Sequence, residues 1–363
     1  MLRLRTLLIV LALATAAAIA RPVPAADGDF TVHKLKELPH ETDVSAAAWG
    51  TDGKQIATLS NLSRRVTIWN SETGEMIRDF AITNSPPPCV SLALTPDGRS
   101  LLTTAFFPDK HDSHATAILW GTRSGEIERY ILSPFPDSDG RYNAAREFTI
   151  SRDGSRLALS LSSKPGTPIA LYKGDWTVPV LLALDRDIPT SMEFSPDGNQ
   201  LAVGTISGRI EVFSLPENRL EYSIQAYEHG GGITLGYSPN GHFLATGFRG
   251  DQERRPRPNG TWETLVISNP LVIWDAASGK LVRAIPGTTQ KIWQLSWSPD
   301  GRILATGEDD HNVHFRSVDA ADQSATAAQL PGPVMGVAFA PDGARFVAAG
   351  GRIALIGEIV APK

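Results

Sequence analysis

Seven times along these 363 residues a strand-like run breaks at a turn ending in Asp-Gly or Asn-Gly and resumes with small and aliphatic residues. The turns are Thr51-Asp52-Gly53, Pro96-Asp97-Gly98, Arg152-Asp153-Gly154, Pro196-Asp197-Gly198, Pro239-Asn240-Gly241, Pro299-Asp300-Gly301 and Pro341-Asp342-Gly343. Successive glycines are 45, 56, 44, 43, 60 and 42 residues apart, a period in the low forties with two expanded intervals. Proline pre-sets φ for the first corner, Asp or Asn accepts the second, and glycine supplies the left-handed backbone that closes a hairpin. Strand-rich repetition at roughly 40 to 45 residues predicts a propeller.

The flanks of the turns repeat as well. A short apolar strand precedes each, as at Ser191-Met192-Glu193-Phe194, and a small-residue strand follows, as at Leu201-Ala202-Val203-Gly204. Small residues suit a strand buried on both faces, because neighbouring sheets can then stack closely. A third strand ends in an aromatic residue in six of the seven units, at Trp69, Trp120, Tyr172, Phe213, Trp274 and Phe315, with Ile356 in that place in the last. Second turns such as Glu72-Thr73-Gly74 and Ala277-Ser278-Gly279 lead into a fourth strand. The expectation is an all-β, seven-bladed β-propeller with four antiparallel strands per blade.

From about Phe30 to Lys363 the chain resembles the WD-repeat (tryptophan-aspartate repeat) propeller family. Val272-Ile273-Trp274-Asp275 is the one literal match to the dipeptide that names the family, and His40-Glu41-Thr42-Asp43-Val44 looks like its histidine-containing entry into a blade. The resemblance implies a His, Ser or Thr, Trp and Asp network within a blade. Blade one carries His40 and Trp69, and blade six carries Asp309 and Asp310 with Phe315 for the tryptophan.

The first residues have the pattern of a processing signal. Arg3 and Arg5 precede an apolar run over residues 7–20, shorter than a bilayer span, and small residues follow at Val23, Ala25 and Ala26. Residues 1–26 are therefore read as a signal peptide and 27–363 as one propeller domain, periplasmic or secreted, with no membrane span after cleavage. The mature chain begins with a strand, Phe30 to Leu35, that has no hairpin partner, while the last unit is one strand short. The N-terminal strand is expected to complete blade seven and so remove its exposed edge.

Without residues 1–26, which hold three arginines and no acid, the formal net charge of −5 becomes −8, which argues against nucleic acid or an anionic membrane as partner. Cys89 is the only cysteine, so no intramolecular disulfide forms and stability rests on blade packing and ring closure.

In an antiparallel meander, the connection between strands two and three and the link to the next blade lie at one end. Glycine to aromatic spans of 16, 22, 18, 15, 33 and 14 residues put long insertions in blades two and five, and residues 133–145 lengthen the link between blades two and three. All three insertions are expected on one face, and binding is expected there. Candidate partner anchors are Arg249, Arg254, Arg255, Arg257 and Trp262 in the blade-five insertion, His111 and His114 in the blade-two insertion, and Tyr142 in the link. Arginine and tryptophan are the types that most often anchor interfaces. The competing reading pairs these arginines with Glu308, Asp309 and Asp310 of the next blade. The cluster from Asp109 to His114 reads as a polar loop, since metal ligands need a fixed geometry, and Asp137-Ser138-Asp139-Gly140 fails as a calcium loop. No metal or cofactor is assigned.

The chain has no Gly-x-Ser-x-Gly elbow, His-Glu-x-x-His, Cys-x-x-Cys-His or phosphate-cradling glycine loop. The function expected from the resemblance is a non-catalytic platform for a protein partner. The alternative is a propeller enzyme, of hydrolase or lactonase type, with a small-molecule or metal site at the channel mouth.

Overall fold

A computed structural model describes residues 31–60, 62–82, 91–104, 115–132, 147–160, 166, 168–185, 187–228, 230–250, 253–256, 262–265, 271–285, 290–319, 324–326 and 329–360. The described residues form seven four-stranded antiparallel sheets and one two-stranded hairpin. Blade one is typical, with strands Val44–Trp49, Gln55–Ser60, Arg65–Asn70 and Met76–Ala81 running from the axis outward. The first strand of blade seven, Val334–Phe339, packs on those of blade six, Ile292–Trp297, and of blade one, so the ring is closed.

The turn chemistry works as the sequence predicts. All seven turn glycines have φ between 66° and 74°, a region that a Cβ disfavours. In blade four the Gly198 N–H donates to Ser195 O (2.8 Å), while Asp197 Oδ1 accepts from the Asn199 N–H (3.0 Å) and the Ser195 hydroxyl (2.6 Å). Hydrogen bonds to Ser151 and Ser155 likewise hold the Asp153 carboxyl down at about 2.

Ring closure also follows the expectation. Thr31–Pro39 runs antiparallel beside Ile353–Val360, from Thr31 opposite Val360 to Pro39 opposite Ile353. Leu38 of this strand is fully buried against a cluster that joins blade seven (Val347, Ile356) to blade one (Val44, Trp69). Lys36 Nζ donates to Thr73 O (3.2 Å) on blade one.

The third strands carry a correction. Trp69, Trp120 and Trp274 donate their indole N–H groups to Thr58, Thr103 and Thr246 Oγ1 at 2.9, 3.0 and 3.0 Å. Each tryptophan lies opposite Ile56, Leu101 or Leu244 on strand two. The matching residue of blade six is Leu304, and it faces Arg316 rather than Phe315. Because side chains alternate across a strand, Phe315 points to the other face, where its ring meets Phe346 (4.8 Å) and Phe339 (6.0 Å) of blade seven. Arg316 takes over the tryptophan's bond to Thr306 and pairs with Glu308 Oε1 at 2.7 Å, an ion pair only 8% and 2% exposed. In blade seven the tryptophan place falls to Gly357 rather than Ile356, and the ring of Phe346 fills it, since a Cβ on Gly357 would lie 2.3 Å from Phe346 Cζ.

Candidate functional site at the channel mouth

The first strands of all seven blades surround a cavity of about 450 Å3. Its walls come from the beginnings of those strands, such as Ala46, Ser91, Ser191 and Gln294, and from Ile206 and Arg249 at the ends of second strands. The cavity therefore opens on the face where second strands lead to third strands and blades link to one another. The three insertions leave from this same end.

Arg249 occupies the mouth because glycines make room for it. Phe248, at the end of Phe243–Phe248, is buried, and Gly250 folds back so closely that a Cβ on Gly231 would sit 2.3 Å from Gly250 Cα. With Arg249 N–H held by Gly232 O (3.0 Å), the side chain is sent across the opening. Its Nε–H donates to Trp293 O of blade six (3.0 Å), and one Nη donates to Thr190 O of blade four. The same nitrogen lies 3.6 Å from Glu147 Oε1 of blade three. Glu147 Oε2 in turn accepts from the Ser91 hydroxyl of blade two (3.2 Å). One guanidinium thus links four blades, and the carboxylate extends the link to a fifth. Arg249 and Glu147 are each 23% exposed, so the pair is reachable from solvent.

The structure places the other sequence candidates as follows. Arg254 and Arg255 lie on Glu253–Pro256, which pairs with Trp262–Leu265 so that Arg255 faces Glu263 and Pro256 faces Trp262. This hairpin is inserted between Phe243–Phe248, which ends at the mouth, and Leu271–Asp275, and the side chains of Arg254, Arg255 and Trp262 lie outside the described residues. Arg257, His111, His114 and Tyr142 lie outside the described residues altogether. Sequence reasoning did not reach Ser91, Glu147, Thr190 or Trp293. Their link to Arg249 spans many tens of residues, and only closure of the ring brings them together.

Two partly buried titratable groups lie lower in the ring and beside it. Glu193, on the first strand of blade four, is pushed up to about 7 by burial, partly offset by the Tyr237 N–H that its Oε2 accepts at 2.8 Å. His40, whose ring meets Trp69 edge-on at 5.2 Å, is pushed down to about 4 by burial, against the opposing pull of Asp79. Folded Glu193 keeps a proton that an unfolded glutamate releases near 4.5, so its contribution to stability falls as pH rises from 4.5 to 7. Folded His40 stays neutral where an unfolded histidine takes a proton below 6.5, so its contribution falls as pH drops from 6.5 to 4. The two slopes oppose each other across the shared window. Glu193→Gln is expected to gain on the wild type as pH rises to 7, by up to about 1.4 kcal/mol per pH unit, and to hold that gain above it. Urea midpoints at four pH values measure this, and overlaid profiles would exclude a Glu193 that the fold keeps protonated.

The family model of the WD domain, G-beta repeat, matches residues 279–316. That stretch starts just before Leu281–Ile285, the outer strand of blade five, and runs through Val313–Ser317 of blade six as far as Arg316. An uncharacterised WD repeat-containing protein of Synechocystis is 25% identical over 163 residues, 45% of this chain and 41% of the relative. The chain is a WD-repeat propeller. The offset of the matched unit by one strand explains the closure, because a unit that begins on an outer strand leaves the chain's first strand to the last blade. The propeller is also 21% identical over 300 residues to an Arabidopsis WD repeat-containing protein 26 homologue, 82% of this chain and 44% of that protein. It is 26% identical over 168 residues to Arabidopsis cell division cycle 20.1, cofactor of APC complex, 45% of this chain and 33% of that protein. The chain spans less than half the length of each of these relatives. Among the described residues no helix is long and apolar enough to cross a membrane.

Proposed function

We propose that this propeller is a non-catalytic platform that binds a protein partner on the face around the channel mouth, after export of the chain. The observation that carries this reading is the coincidence of three features on one face: a mouth lined by all seven blades, the cross-braced Arg249, and the hairpin of Glu253–Pro256 and Trp262–Leu265. A rigid ring presenting a raised hairpin beside a recess lets a partner bury anchors without ordering the scaffold, and little of the binding energy is then spent on ordering. A relative whose name describes it as a cofactor of a complex fits an interaction role.

The test is capture of the tagged full chain from the envelope of its host, beside a variant whose residues 253–265 are replaced by a short Gly-Ser link. Arg249 stays in place, so the ring keeps its brace. Stoichiometric capture of one protein by the wild type and at least a tenfold loss in the variant is the expected result. The captured propeller is expected to begin at residue 26 or 27. Equal capture by both, with equal melting temperatures, would move the interface off this face.

A further inference from the structure

A cluster in blade six, beside the mouth but separate from the Arg249 brace, draws together three side chains that the sequence reading did not connect. Glu308 ends strand Ile303–Glu308, Asp310 sits in the tight turn that follows, and His314 lies on Val313–Ser317. The turn is fixed by His311, whose φ is 70°. His314 Nε2 is 2.8 Å from Asp310 Oδ2 and 3.8 Å from Glu308 Oε2, and all three donor atoms lie within 4.8 Å of one another. Around a cation with bonds of roughly 2.0 to 2.2 Å, the edges of a tetrahedron measure roughly 3.3 to 3.6 Å, between those two separations.

Each ligand is also held from behind. Arg316 and Thr306 bind Glu308 through Oε1 (both 2.7 Å), which turns Oε2 towards the histidine. The Asn312 N–H donates to Asp310 Oδ1 (3.0 Å), which leaves Oδ2 on the cluster side. The Thr326 hydroxyl meets His314 Nδ1 at 3.2 Å, which directs Nε2 inwards. Such outer contacts are what orient metal ligands. Glu308 is 2% exposed, while Asp310 and His314 are 28% and 21% exposed, so a cation would be gripped from inside and reached from outside. Trp293, whose carbonyl braces Arg249, donates its indole N–H to Asp309 Oδ1 (3.1 Å), the residue between Glu308 and Asp310.

We propose that Glu308, Asp310 and His314 bind a divalent transition-metal cation, with Zn2+ the best match and one coordination position left open. One imidazole with two carboxylates and no thiolate suits a borderline cation better than a soft one. The bound cation would rivet the turn of blade six beside the mouth and stabilise the rim there.

The test titrates ZnCl2 into the full chain after chelator treatment, read by calorimetry and by thermal melting. One equivalent bound and a raised melting temperature are expected. His314→Ala and Asp310→Asn are each expected to weaken binding more than about 100-fold, beyond the loss typical of an outer-contact change. Thr326→Ala is expected to weaken it about tenfold with the stoichiometry kept, as a positioning residue should. His311→Asn removes a neighbouring imidazole while tolerating the left-handed turn, and it should bind as the wild type does. Should His314→Ala fail to fold, the part-exposed Asp310→Asn carries the test alone. No stoichiometric binding by the wild type, or equal binding by the ligand variants, would overturn the site.

Discussion

Removal of residues 1–39 is expected to abolish cooperative folding of the ring. The loss is not a trimmed tail. Thr31–Pro39 pairs along its whole length with Ile353–Val360, so without it blade seven ends on an open edge. Exposed edges of this kind recruit other chains, and aggregation should follow. The truncated protein is also stripped of Leu38, which joins blade seven to blade one from a fully buried position. Leu38→Ala alone should cost about 2 to 4 kcal/mol, the usual cost of emptying such a site. Urea unfolding of the substituted chain and light scattering of the truncated one measure the two effects. A truncated chain that stays monomeric and melts within a few degrees of the wild type would show that the ring closes some other way.

Arg249→Ala should be the most damaging single change at the mouth. It removes hydrogen bonds to Thr190 O and Trp293 O together with the ion pair to Glu147, for an expected cost of about 2 to 4 kcal/mol. Arg249→Lys should recover little, because one ammonium cannot reproduce a fork that serves three blades. Glu147→Gln should cost less, and the double variant should lose less than the sum of the two single losses, because both changes break the same ion pair. Urea midpoints of this double-mutant cycle decide the matter. A loss below about 0.5 kcal/mol for Arg249→Ala would mean that the brace contributes nothing to the ring and that Arg249 is available to a partner.

The fold was legible because its punctuation is local. Gly53, Gly98 and their five counterparts each require a left-handed backbone, and Pro or Asp beside them supplies the rest of the turn. The spare first strand and the short last unit likewise pointed to closure, and the pairing of Thr31 with Val360 bears that out. The third-strand register in blades six and seven was not legible from aromatic residues alone. Phe315 is next to the right position but faces the wrong way, and Gly357 has passed its volume to Phe346 on the neighbouring strand. A reading of the polar alternation Thr306, Glu308, His314, Arg316 would have recovered blade six. The mouth was less legible still. Arg249 could be singled out by type, but its partners Thr190 and Trp293 are 59 and 44 residues away, and Glu147 carries no local signature. A ring of blades creates such a site by juxtaposing strand beginnings, which no window of sequence displays.

The most direct test of the platform is site-specific photo-crosslinking in the native host. Crosslinkers at Ile206 and Met335, which are 42% and 40% exposed on the mouth face, would be compared with crosslinkers at Asp52 and Asp300 in the turns of the opposite face. The account predicts one discrete protein adduct from Ile206 and Met335 and none from Asp52 or Asp300. Adducts confined to Asp52 and Asp300 would contradict it and place the partner on the turn face.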